Sequence, residues 1–378
     1  MKAQIRVLTC VVLCSLSLAC SPVGKIVEAR SESPGSRRGV KALATSNSAR
    51  PEWQLGMPVT HNNLTVFPVI ADETQSSAEY ITLDDGLRSG RVTVTEIGAD
   101  GRSQTIRSNQ RSGDHAEVNR LMVTNNSGKT LVLIAGEIVI GGKQDRIVGH
   151  DCLVSSSNKP VPLDVFCVEH GRWQAGASVG QSHGADRGVP TETASGFEAA
   201  KSVMASPQVR EKAQAKKDQS QVWAEVTKAE RANGVSSSTG TLNKVYKDKQ
   251  VNAKLEAYDK ALGTKLIGRN IVGAVVAIGG EIVSADVFAN SALFQAYWPK
   301  LLKSYALQAV SSDKSGSQRV DRASAEAFLS RADAASSSAG KDGIYKLSER
   351  NAATDASFEL ESDATTRRLI HFNRVNKK

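Results

Sequence analysis

This sequence predicts an α+β fold with an antiparallel β core, either a sandwich or a rolled sheet. Three observations carry that prediction. From Trp53 to Trp173, short runs rich in β-branched residues follow one another with turn chemistry between them. Further on, two apolar runs flank Gly279-Gly280, the composition of a tight hairpin. Between these β regions lies a stretch whose apolar spacing is helical. A doubly wound parallel sheet is disfavoured, because parallel neighbours need crossover helices that the early region lacks.

Taken in order, the chain opens with MKAQIRVLTCVVLCSLSLAC, which has the layout of an export leader over residues 1–19. Lys2 and Arg6 form a positive start, Val7 to Leu18 an apolar run, and Ser17-Leu18-Ala19 a small-residue cleavage site. The run is too short for a bilayer core of about 30 Å. Cleavage before Cys20 would expose the kind of N-terminal cysteine that is acylated in bacterial lipoproteins. Ser17 stands where such leaders usually carry leucine. The expectation is therefore a cell-envelope protein, lipid-anchored at Cys20, or secreted or periplasmic if it is not acylated. Residues 20–50, rich in Ser, Arg, Gly and Ala, read as a flexible linker.

Residues 51–378 read as one composite domain. Its β-rich part, 51–175, contains LTVFPVI (64–70), RVTVTEIG (91–98), VNRLMVTNN (118–126) and KTLVLIAGEIVIG (129–141). A helical part, 196–262, contains two helices divided near Ser206-Pro207, a loop at SSSTGTLNKVYKD, and a third helix over VNAKLEAYDKAL. The hairpin occupies 271–290. A long helix with a bend at Pro299, a short helix at SAEAFLSRADAA and three strands near IYKLSE, SFELES and RRLIHFNRV complete 291–378. The segments 131–143 and 275–287 share a small-Gly-Glu-Ile-Val core, and each is expected to form a hairpin edge, by duplication or by convergence on good turn chemistry.

The formal charge of +9 invites a nucleic-acid reading, but its distribution does not support one. The leader has two positives, residues 20–50 six basic against two acidic, and residues 367–378 five basic and none acidic, leaving 51–366 at −2. No dense Lys/Arg cluster with interleaved aromatics occurs in the body. Besides Cys20, the cysteines remaining after the leader are Cys152 and Cys167. Asn158-Lys159-Pro160 lies midway between them, so a hairpin there could bring them into a disulfide; two buried thiols are the alternative. No metal-ligand spacing is present, and no cofactor is implied.

The densest polar cluster is AGEIVIGGKQDR (135–146) with VFCVEHGRW (165–173). It offers Glu137, Lys143, Gln144, Arg146, Cys167, Glu169, Arg172 and Trp173 as ligand-binding candidates. On a strand, Cys167, Glu169 and Gly171 would share one face and His170 and Arg172 the other. The arginines would hold an anion, Trp173 would stack, and a glutamate would accept hydrogen bonds. The bland alternative is a salt-bridge network at the strand ends. Gly136 to Lys143 fails the phosphate-loop spacing, and neither HExxH nor GxSxG occurs. His183, in GQSHGAD, reads as solvent-exposed.

LMVTNNSGKTLVLIAGEIVIGGKQDRIV, VPLDVFCVEHGRW, VVAIGGEIVSADVFANSALFQAYWPKLLKSYAL and RRLIHFNRV together resemble the ARG and rhodanese-phosphatase-superfamily-associated protein domain, an uncharacterised bacterial family. The resemblance covers most of 53–376. It rests on GE-x(4-5)-G-K-Q-x-R and C-V-E-x-G-R-W, here Glu137, Lys143, Gln144, Arg146, Cys167, Glu169, Gly171, Arg172 and Trp173. The family form carries one glycine before Lys-Gln, and Asn where this chain has Asp145. The family name implies association with ADP-ribosylglycohydrolase and phosphatase-like domains, and so hints at nucleotide-derived ligands. The resulting expectation is an exported module binding a small polar, anionic ligand. The alternatives are a hydrolase using Glu137 or Glu169, with Cys167 as a less favoured nucleophile, and a non-catalytic structural envelope protein.

Overall fold

The computed structural model describes residues 52–72, 79–97, 119–142, 144–171, 198–313, 319–331, 336–339, 343–362 and 368–377. All of them belong to the compact unit Ser48–Lys378. Cys20, the linker, Lys143, Arg172, Trp173 and His183 lie outside the described residues.

The chain begins with β1 (Gln54–Leu55), β2 (Val59–His61), β3 (Leu64–Ile70) and β4 (Tyr80–Thr82). Helix α1 (Leu83–Arg88) follows, its first turn closed by the Thr82 hydroxyl accepting from the Asp85 amide. Then come β5 (Val92–Glu96), β6 (Arg120–Asn125), β7 (Thr130–Leu133), β8 (Glu137–Ile140), β9 (Arg146–Val148), β10 (Cys152–Val154), β11 (Ser157–Cys167) and β12 (Glu198–Met204). The helical part holds α2 (Pro207–Glu211), continued by a π-helical turn (Lys212–Lys216), then α3 (Gln219–Ala232), α4 (Leu242–Lys247) and α5 (Lys249–Leu262). Strands β13 (Ile271–Ile278) and β14 (Glu281–Phe288) lead into α6 (Ser291–Val310) and α7 (Arg322–Ser330). The chain closes with β15 (Ser336–Ala339), β16 (Tyr345–Asn351), β17 (Asp355–Ser362) and β18 (Arg368–Asn376).

Among the described residues the strands form three sheets. The largest runs β1-β3-β13-β14-β18-β17-β16-β15, with β2 added to β3, and every pairing in it is antiparallel. A six-stranded antiparallel sheet runs β12-β8-β9-β11-β6-β5, and a small one β10-β7-β4, in which β4 and β7 are parallel. Strand alternation divides the large sheet's residues between two cores. Val66, Ala274 and Val276 join Phe294, Leu301 and Tyr305 of α6, while Phe67, Val275 and Val287 join Ala325, Phe328 and Leu329 of α7. In β7, Val132 joins the α6 core, whereas Leu131 and Leu133 join Leu121, Val123, Leu163 and Val165 in a third. Each fully buried Leu, Val or Phe contributes roughly 1.5–3 kcal/mol relative to an exposed one.

The structure corrects four local expectations. Residues 198–204 form β12, not the first of two helices, because pairing Ala199 with Val139 and Met204 with Glu137 outweighs the helical propensity of an Ala-rich run. The helical break falls at Lys217, in left-handed backbone (φ 53), after which Asp218 caps α3. TLNKVYK is not loop: Thr241 caps it as α4. The echo between 131–143 and 275–287 is not a repeated hairpin. Gly279-Gly280 joins paired strands, but after Ala135-Gly136 the chain leaves β7, which pairs with β10 and β4, for β8, which pairs with β9 and β12.

Candidate functional site

Register brings Gln144, Arg146, Cys167 and Glu169 together. Cys167 pairs with Arg146 across β11 and β9, which sets Gln144 and Asp145 beside Glu169. The Gln144 amide Nε2 donates to the Glu169 carbonyl (3.1 Å), and the Asp145 N–H donates to Glu169 Oε2 (3.0 Å). Asp145 Oδ1 accepts from the Gly141 N–H (3.3 Å) and Oδ2 from the Thr241 hydroxyl (2.9 Å). Arg146, buried, donates two bonds to the Glu96 carboxylate (3.0 and 3.3 Å) and one to the Gln144 carbonyl (3.0 Å). Its guanidinium therefore ties the loop to β5, the far strand of the same sheet.

Beyond Cys167 the strand ends, so the expected alternation through Gly171 is not formed. Instead residues 168–171 zip against 239–242. Leu242 N–H donates to the Val168 carbonyl (3.1 Å), His170 N–H to that of Gly240 (3.3 Å) and Gly171 N–H to that of Thr239 (2.6 Å). A Cβ on Gly171 would sit 2.7 Å from Thr239 Cα, so only glycine allows this approach. At this seam lies a recess of about 500 Å³, lined by Asp145, Glu169, the hydroxyl loop Ser236–Thr239, and Lys244 and Lys247 of α4. Both lysines are exposed and have no ion pair among the described residues.

Cys167 is not poised as a nucleophile. Burial pushes its thiol up, and its Sγ donates to the Glu169 carbonyl (3.2 Å). Gln219, at the start of α3, clamps the Cys167 backbone by accepting from its N–H (2.9 Å) and donating to its carbonyl (2.7 Å). Cys152 and Cys167 are both free and buried. The hairpin expected at Asn158-Lys159-Pro160 is absent because β11 runs straight through it. Cys152 pairs with Leu133 in the small sheet, and Cys167 with Arg146 in another.

Glu137 is drawn elsewhere. It opens β8, where its Oε1 meets Lys300 Nζ of α6 at 2.8 Å and its Oε2 accepts from the Ile134 N–H (2.9 Å). Lys300 also meets Asp84 Oδ1 at 2.9 Å. Burial disfavours the Lys300 charge, but the two carboxylates outweigh it and hold the ammonium above its ordinary pKa. Burial lifts the Glu137 carboxyl, and Lys300 only partly offsets that rise.

A second buried network escaped the sequence reading. Asp286 of β14 receives both terminal nitrogens of Arg210 (3.2 and 2.7 Å), the Ser284 hydroxyl, the Asn373 amide and the Tyr305 hydroxyl. His371 of β18 bridges Asp286 Oδ1 through Nε2 (3.2 Å) and Asp151 Oδ2 through Nδ1 (2.6 Å). Burial alone would lower the His371 pKa, but the two aspartates raise it to about 9. Burial likewise opposes the Asp286 charge, and Arg210 with His371 pulls its pKa well below the ordinary range. Gly136 has φ +89, and a Cβ there would meet Arg210 Cγ at 2.5 Å, so that glycine makes room for the guanidinium. The available signal was polar residues at i, i+2 in otherwise apolar strands: Ser284 and Asp286, His371 and Asn373.

The fold and site define an α+β domain whose motif residues organise a polar recess. The family model of the ARG and Rhodanese-Phosphatase-superfamily-associated Protein domain matches residues 52–375. The chain belongs to that family. No curated protein and no solved structure matches it. Among the described residues no helix is long and apolar enough to cross a membrane, and no group of three or more His, Cys, Asp or Glu is placed to hold a metal ion.

Proposed function

We propose that this chain is an exported binding module, tethered through Cys20, whose body holds a small polar, anionic ligand in the Asp145–Glu169 recess. The observation that carries the reading is the pairing of two lysines, Lys244 and Lys247, with the hydroxyl loop Ser236–Thr239 around one concavity. Lysines supply charge for a phosphate or carboxylate, and hydroxyls adapt to its oxygens. Asp145 and Glu169 accept internal hydrogen bonds, so their charge is partly offset. A sugar phosphate or nucleotide-derived molecule fits that chemistry and a recess of about 500 Å³.

Isothermal titration with ADP, a hexose phosphate and inorganic phosphate tests the reading. Lys244→Ala with Lys247→Ala should weaken the best binder at least about tenfold, the equivalent of about 1.4 kcal/mol. Unchanged affinity would sink the site. A hydrolase is the second reading, favoured by one observation: Glu169 lines the recess. Glu169→Gln would then abolish turnover of a bound phosphoester while sparing its affinity. Tethering is tested separately by detergent partitioning of wild type and Cys20→Ala. If both stay in the aqueous phase after leader removal, the anchor is wrong.

A further inference from the structure

A second cavity, of about 340 Å³, shares no lining residue with the recess. It lies where the turn of the β13–β14 hairpin, the last turn of α6 and the middle of α3 meet. Ile278, Ile282, Val283 and Leu307 give it apolar walls. Glu225, Glu281 and Asp313 line it as well, and among the described residues Lys228 is the basic one beside them. The Lys228 ammonium is 3.6 Å from Glu225 with its side chain 65% exposed, a pair that neutralises little.

Two further features favour positive charge and specify a polar contact. Helix α6, 20 residues long, ends at this cavity with no basic residue in its last turn, and the negative end of its dipole favours a cation there. Gln308 is 8% exposed, and its Oε1 accepts from the Gln208 N–H at 3.3 Å. That bond fixes the amide's orientation and leaves Nε2 as a donor at the cavity wall, without a hydrogen bond among the described residues.

We propose that this cavity binds a small amphipathic cation: a protonated amine on a branched apolar body, bearing one hydroxyl or carbonyl oxygen. The ammonium faces the carboxylates and the α6 terminus, the body lies on Ile278, Ile282 and Leu307, and the oxygen accepts from Gln308 Nε2. The cavity volume suits a small molecule, at the lower end of the roughly 300–1,000 Å³ typical of ligand pockets. An anion would meet the Glu225 and Asp313 carboxylates and the carbonyl end of α6.

Isothermal titration of the purified protein with leucinol tests this, beside isoamylamine, which lacks the oxygen, and 4-methylpentanoate, which reverses the charge. Leucinol should bind saturably with one site. Isoamylamine should bind roughly fivefold more weakly, the equivalent of one hydrogen bond of about 1 kcal/mol, and 4-methylpentanoate should not bind. Glu225→Gln with Asp313→Asn should weaken leucinol about tenfold or more, while Lys244→Ala should leave it unchanged. Asp313 is exposed, so Asp313→Asn alone keeps the test valid if the double variant folds poorly. No leucinol binding, affinity indifferent to these substitutions, or equal binding of the carboxylate overturns the proposal. Equal binding of isoamylamine overturns the role given to Gln308.

Discussion

Replacing Asp286 with alanine should unlock the buried network that joins α2, β14, β18 and the Asp151 loop. Arg210 and Asp286 are both fully buried, and the carboxylate also receives Tyr305, His371, Asn373 and Ser284. Without it, Arg210 keeps its charge and loses its partner, a change that typically costs about 3–5 kcal/mol. For a body of this size that is a melting shift of the order of 10 °C. Urea titration followed by circular dichroism would measure it as a lower midpoint. The same network predicts a pH profile. The His371 pKa rises from 6.5 to about 9 on folding, so its contribution is full below pH 6.5 and disappears as pH climbs through 9. That shift corresponds to about 3 kcal/mol. The Asp286 pKa is depressed, so its contribution holds above the unfolded carboxyl pKa and fades as pH falls toward the folded one. His371→Gln should flatten the alkaline decline relative to wild type. A cost below about 1 kcal/mol for Asp286→Ala, or parallel pH profiles for wild type and His371→Gln, would refute the reasoning.

Three further outcomes follow from the same geometry. Lys300→Met should cost about 3–5 kcal/mol by stranding Glu137, and adding Glu137→Gln should recover part of that in a double-mutant cycle of urea midpoints. Gly171→Ala should cost about 1–3 kcal/mol, because a Cβ 2.7 Å from Thr239 Cα pushes the seam apart; binding at the recess, read by titration, should weaken with it. Cys152 and Cys167, buried with thiol pKa values raised by burial, should resist a thiol-reactive chromophore in the native protein, and both should react in denaturant without prior reduction.

Much of the scaffold was legible because alternation and turn chemistry are local. LTVFPVI became β3 residue for residue, Gly279-Gly280 turned β13 into β14, and the strands around IYKLSE, SFELES and RRLIHFNRV formed as expected. Strand β12 was not legible. Its Ala- and Lys-containing sequence favours helix locally, and it is a strand because the open edge of β8 supplies its hydrogen bonds. The cluster around Gln144–Arg146 and Cys167–Glu169 could be named from the sequence because each half is compact, and the Cys167–Arg146 register then joined them.

What the sequence determined by itself was therefore the kind of most elements and the two motif segments that meet at one polar seam. Their partners were decided only by tertiary structure. Glu137 sits in the same motif as Gln144, yet it faces Lys300 across 163 residues of chain, because α6 packs where β8 begins. Thr241 and Lys244, remote from either motif, complete the recess because 239–242 zips against 168–171. Arg210, Asp286 and His371 meet only because α2, β14 and β18 are brought to one buried point. Periodicity reports which face of an element is buried. It carries no information about which distant charge will be buried opposite, since that is set by the packing of whole elements.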